Sequence, residues 1–444
     1  MKTRYLLYIL PLIILAACEP KVDEFTPSKG NADFTSYIAV GDFWTAGFAD
    51  ASLYQSGQVN SFPNILSQKF ATVGGGQFTQ PLMVDDYGFG LATGTPTPKL
   101  VLGYQQDCLQ NTVLVPAYAD VQVDPANFAS IASQGPFNNI GMPGLKSIYV
   151  AVPGFAALNP YFSRFAPTPT TTVIEMINPD ATFFTLWLGI FDIEYYAILG
   201  GVGDQITPVQ QFSGSLSATL DVLMANGAKG AVANIPEITD MPFFHTIPYN
   251  AIPLDDQQAA MLNAAYAPLN MMIKAANSDD TIHFAAGQNA MVITDASLPW
   301  GMRQIKSSEF ALMTIPQDSL KCGGWGTMKP VPGKYILDNL EIKNVQDAVT
   351  NYNIAITQLV ADKDVALVDM YSVMKEVSTT GLEFDGVMLN STFVTGNFFS
   401  LDGQNPTPRG SAVVAYYFID AINAKFGASL PQVIVSDYEG VVLP

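Results

Sequence analysis

Apolar and polar positions alternate between two periods along most of this chain. "YIAV", Tyr37 to Val40, is a short apolar run ending in Gly-Asp, which predicts a buried strand running into a turn. "SFPNILSQKFATV" follows, with Pro63 in its first turn and Ile65, Leu66 and Phe70 on one face. That spacing predicts a helix, stopped at Gly74–Gly76. "ATFFTLWLGIFD", Ala181 to Asp192, is continuously apolar and predicts a strand buried on both faces. A helix is predicted from Ser215 to Ala225, ending at Asn226-Gly227, with "GAVANIP" as the next strand. "DDQQAAMLNAAYAPLNMMIKAANS" and "VQDAVTNYNIAITQLVADKD" predict further helices. The second leads into "VALVDM", Val365 to Met370, as a strand. "PRGSAVVAYYFIDAINAKFG" predicts a closing helix ended by Gly427.

Strand followed by helix, repeated, predicts an α/β fold whose parallel sheet is covered on both sides. Two stretches break the rhythm. Residues 93–141 are polar and rich in Pro and Gly, and read as loop with short strands. Residues 242–343 carry a long helix, the hairpin-like "HFAAGQNAMVITD" and the Pro/Gly-rich "CGGWGTMKPVPGKY", and read as an inserted subdomain.

The N-terminus reads differently. Lys2 and Arg4 precede an apolar run from Tyr5 to Ala17, too short to span a bilayer and shaped like a secretory signal over residues 1–17. The run ends "LAAC", which resembles the lipobox of bacterial lipoproteins and predicts lipidation at Cys18. Residues 18–35 then form a lipidated tether, with Glu19, Asp23 and Glu24 directly behind the anchor. This acidic start resembles the export signal of surface lipoproteins in Bacteroidetes-type bacteria.

Of 444 residues, 49% are hydrophobic and 13% charged, ample for a large core. The formal net charge is −19, and loss of Lys2 and Arg4 with the leader makes the mature chain more negative still. Such a body repels nucleic acid and anionic membrane. Beyond the anchor, Cys108 and Cys322 remain; an oxidising envelope predicts a disulfide between them, the alternative being buried free thiols. His245 and His283 are the only histidines and no Cys/His cluster exists, so no metal site and no cofactor is expected.

Four stretches together resemble the SGNH or GDSL-type esterases, in the lipoprotein branch found in Bacteroidetes. They are "GDFWTAGFAD", "NNIGMPGLK", "LGIFDIEYYA" and "SLDGQNPTPRG", and they cover residues 36–431 apart from the insertion, leaving 432–444 as a tail. The resemblance implies a three-layer α/β/α, flavodoxin-like fold with a parallel sheet of about five strands. It also implies where the chemistry belongs. Phe43 stands at the serine position, Gly144 at the oxyanion glycine, Phe191 at the oxyanion asparagine, and Asp402 and Asn405 at the aspartate and histidine of the base pair.

Those substitutions remove the reaction. A phenyl ring offers no nucleophile, and a neutral amide shuttles no proton near neutrality. Loss of an oxyanion donor alone lowers rates by about 10²–10³. Thr45 and Ser400 are the nearby hydroxyls, and the expected roles of Asp42, Thr45 and Asp402 are turn capping. Phe43 and Phe191 are expected to fill the former catalytic pocket, the rival being an aromatic-lined ligand groove. The leading expectation is a catalytically inactive surface lipoprotein of the outer membrane. It would be an interaction subunit beside an outer-membrane β-barrel, of the barrel-assembly or FadL-type, with other surface lipoproteins. The alternatives are a glycan- or lipid-binding lipoprotein that uses the degenerate cleft, and an esterase with a relocated site.

Overall fold

The computed structural model describes residues 25–444. The leader and Cys18 lie outside the described residues. Five parallel strands form the central sheet: β1 (Tyr37–Gly41), β2 (Asn139–Gly141), β3 (Phe183–Trp187), β4 (Lys229–Ala233) and β5 (Val365–Val368). Their order is β5-β4-β3-β1-β2, the flavodoxin-like arrangement read from one edge. Register is continuous across the middle, with Ala39 beside Thr185 and Thr185 beside Ala231.

Eight helices matter for the site: α1 (Phe43–Ala46), α2 (Phe62–Ala71), α3 (Ile190–Ile198), α4 (Val209–Leu223), α5 (Asp256–Ala275), α6 (Asn339–Val360), α7 (Met370–Thr379) and α8 (Pro408–Phe426). Helices α2 and α8 pack together through stacked Phe62 and Phe418, 4.8 Å apart. Alternate β3 side chains reach this layer: Phe183 meets Phe70 and Phe426, and Trp187 meets Phe62 and Phe418. Helices α4 and α6 form a second pair, where Phe212 stacks on Tyr352 at 3.9 Å. Strand side chains on both faces are therefore buried, which is why β3 is apolar without alternation.

Several elements differ from the sequence expectation. The apolar run 181–192 is strand only to Trp187. Gly189 then turns the chain at φ 114°, and α3 begins at Ile190. Apolarity hid the break because α3 is itself buried at its start. Met370 caps no strand but opens α7, with Asp369 accepting from the Ser372 N–H at 3.2 Å. Residues 93–141 do hold short strands, as expected: the sheet edge β2 and an antiparallel hairpin, Leu100–Gln106 with Thr112–Tyr118. The stretch 283–295 is not a hairpin. Gly287–Asn289 pairs with Ile252–Leu254, and Val292–Thr294 pairs with Met302–Gln304.

The inserted stretch carries small cores of its own, one around Ile252, Met291 and Ile293 and another around Tyr266 and Phe284. Arg303 ties it internally, bound at both ends of its guanidinium by Glu309 at 2.6 and 2.8 Å and by Asp295 at 2.7 Å. A disulfide joins Cys108, at the hairpin tip, to Cys322, with Cα atoms 6.4 Å apart. It closes a loop across 214 positions and fastens the hairpin to the insertion.

Candidate functional site: a cleft at the carboxyl ends of the strands

The order of the sheet reverses direction between β1 and β3, and crevices open at such points beyond the strand ends. Here β1 delivers Asp42 and Phe43, β2 leads to Gly144, and β3 leads through Gly189 to Phe191. The loop before α8 supplies Asp402 and Asn405. Phe43, Gly144, Phe191, Asp402 and Asn405 all line one cleft of about 420 Å³. Five positions singled out by four separated stretches are thus brought to one place.

Local chemistry explains the placement. Gly41 is required where α1 folds back on β1, since a Cβ there would lie 2.0 Å from the Thr45 hydroxyl oxygen. The loop carrying Asp402 is clamped to the turn at 50–51. Asp50 accepts from the Leu401 N–H at 3.0 Å and donates its own N–H to Ser400 Oγ at 2.9 Å. Asp402 Oδ2 accepts from the Ala51 N–H at 3.0 Å. These bonds hold Asp50 and Ala51 at positive φ, 52° and 59°, a region disfavoured for residues with a Cβ.

Asp402 caps its own turn, accepting from the Gln404 and Asn405 N–H groups at 2.9 and 2.8 Å. Its Oδ2 also accepts from Asn405 Nδ2 at 3.1 Å. The carboxylate thus orients an amide that cannot carry a proton. Asp42 behaves otherwise: it makes no side-chain cap bond to α1, and Oδ2 accepts from the Phe191 N–H at 3.4 Å. Burial, with the nearby charge of Asp192 adding to it, pushes the Asp42 carboxyl up to about 7. Asp192 is itself held by the Ser147 N–H and hydroxyl, each at 2.7 Å. Thr45 is buried and its hydroxyl has no partner, so neither it nor Asp42 caps the turn through its side chain.

Phe43 and Phe191 are half-buried rather than sealed in. Their rings lie 4.9 Å apart, and the row extends to Phe48 and to Tyr195 at 4.9 Å each. They wall the cleft instead of filling it, because the space between them and the Tyr161 side stays open. The hydroxyls and histidines nearest the sequence motifs do not meet in the cleft. Ser400 is buried outside the cleft lining, where its Oγ accepts from the Asp50 N–H, Thr45 does not line the cleft, and His245 and His283 are exposed and outside it. His245 instead bonds the Thr239 carbonyl at 2.7 Å.

Sequence reasoning missed Glu194. It lines the cleft, is 3% exposed, and has Oε1 buried without a partner. Burial, then the charges of Asp42 and Asp402, push its carboxyl up to about 8. The signal was present as a second acid, after Asp192, in the first turns of a buried helix. Among the described residues no group of three or more His, Cys, Asp or Glu side chains is placed to hold a metal ion.

No protein-family model matches this chain, and no curated protein does.

Proposed function

We propose that this chain is an SGNH-hydrolase-like protein that works by binding and not by catalysis. The observation that carries the proposal is the convergence of Phe43, Phe191 and Asn405 on one cleft. At the three positions where the resemblance requires a nucleophile, an oxyanion donor and a base, the cleft presents two phenyl rings and an amide. In this reading the protein is a lipid-anchored interaction subunit at the outer membrane, and its partner is a β-barrel of the assembly or FadL-type. Helix α5 offers a surface for it. Met261, Met271 and Met272 are each about two-thirds exposed on that helix. Exposed methionines are flexible apolar side chains that a partner surface can cover.

The test is affinity purification of the full chain from gently solubilised outer membrane. A β-barrel protein should co-purify, and Met271→Glu with Met272→Glu should weaken its recovery. Recovery of the chain alone, under conditions that keep other barrel complexes whole, would overturn the partner assignment.

A second reading, a ligand-binding lipoprotein, is favoured by a specific observation. The cleft is open, aromatic-walled and about 420 Å³ in volume, within the range of small-ligand sites.

A further inference from the structure

The floor of the cleft holds polar atoms that nothing in the fold uses. Glu194 Oε1 and Asn405 Oδ1 are buried without hydrogen-bond partners, and both residues line the cleft. Asp42 Oδ1 is in the same condition, on the residue preceding Phe43. The Asn405 orientation follows from its neighbour: the Asp402 carboxylate accepts from Nδ2, which leaves Oδ1 free. Asn405 Oδ1 is an acceptor at every pH, and Glu194 Oε1 and Asp42 Oδ1 become acceptors when their carboxyls ionise. Buried acceptors without donors are rare in folded proteins, and each invites a partner from outside.

Charge points the same way. Burial raises the proton affinity of Glu194 most, and the negative charges of Asp42 and Asp402 add to it. Among the lining residues Lys146 is the cationic one, and it is already bound to Asp204 and, at 3.1 Å, to the Gln205 carbonyl. Asp204 balances Lys146, which leaves Asp402, and Glu194 once it ionises, without a cationic partner among the lining residues. Tyr149, Tyr161 and Tyr195 are the other titratable groups facing it, with Asp192 held behind by Ser147. The walls are the rings of Phe43, Phe48, Phe191 and Tyr195, whose faces attract cations.

We propose that the cleft binds an organic cation, a primary ammonium head on an apolar body. Its head donates hydrogen bonds to Glu194 Oε1 and Asn405 Oδ1, and its body lies against Phe43 and Phe191. An anion meets uncompensated carboxylates, and a neutral alcohol satisfies fewer acceptors and no charge. The proposal rests on the ligand-binding reading of the cleft and narrows it to one chemistry.

Titration calorimetry on the full chain with n-hexylamine, 1-hexanol and hexanoate tests it, against blank titrations into the same buffer. Hexylamine should bind about ten- to a hundredfold more tightly than hexanol, the usual gain from charge-assisted hydrogen bonding, and hexanoate should bind least. Glu194→Gln should bring amine and alcohol close together, whereas Phe191→Ala should weaken both. Binding should release a proton below pH about 8, because the ammonium requires the ionised carboxylate; affinity should climb by up to about tenfold per unit up to that point. Phosphatidylethanolamine vesicles that displace hexylamine would assign the head group to a lipid, and failure to displace it would assign a free amine. Either outcome keeps the cation. Hexanol equal to hexylamine, or an amine-to-alcohol ratio indifferent to Glu194→Gln, would overturn the proposal while leaving a ligand cleft. Binding of none of the three would overturn both.

Discussion

Glu194 keeps its proton far above the ordinary carboxyl range because the fold buries it beside two other acids. Between about pH 4.5 and 8 the folded protein therefore holds a proton that the unfolded chain has released. Under that condition stability falls as pH rises through the window and levels off above it. Glu194→Gln removes the ionisation, so the variant should gain on the wild type as pH rises. Linkage over that window amounts to about 1.4 kcal/mol per pH unit, so at pH about 8.5 the variant should be more stable by several kcal/mol, and near pH 4.5 the two should be close. Urea unfolding at the two pH values measures this; a constant difference would show that the carboxyl ionises freely in the fold. Phe43, Gly144, Phe191, Asp402 and Asn405 were legible as one constellation because each stands in a short block of recognisable pattern. Glu194 was not, since an acid inside "IFDIEYYA" looks like an exposed helix position until the helix is seen to dive under the cleft. The openness of the cleft was also invisible: pattern shows that a phenyl is present, not whether it plugs or lines.

Elements were legible where the period and the caps agreed. Helix α8 runs from Pro408, with Thr407 accepting from the Gly410 N–H, to Gly427 at φ 61°, close to the expected bounds. Helix α6 starts in a capping box formed by Asp338 and Glu341, ahead of the stretch whose periodicity was visible. Asp338→Ala frees the Leu340 and Glu341 N–H groups, now bonded at 2.9 Å each. It should destabilise the protein by about 0.5–2 kcal/mol, read as a lower denaturation midpoint at unchanged slope. An unchanged midpoint would mean that packing against α4 alone holds this end. Illegible elements have a common cause. Strand β2 is three residues long and sits in polar loop, so its identity comes from pairing with β1 rather than from its own pattern. The boundary inside 181–192 vanished because strand and helix are both apolar there and only Gly189 separates them.

At the scale of the molecule, the parallel sheet and its two helix layers position a cleft where crevices of this topology open. The inserted stretch adds cores and a buried Arg303 network, and the Cys108–Cys322 bridge fastens the 100–118 hairpin to it. None of this requires catalysis to persist. The turn at Gly41–Asp42 is demanded by the approach of α1 to β1, so this strand–turn–helix frame stands on packing grounds alone. The function proposed above holds that this frame works without a reaction. The most direct test is hydrolysis of short-chain nitrophenyl esters by the full wild-type chain, run alongside labelling with a serine-reactive phosphonate. The account predicts turnover no faster than buffer and no label. Sustained turnover with stoichiometric labelling, from a preparation free of other hydrolases, would contradict it.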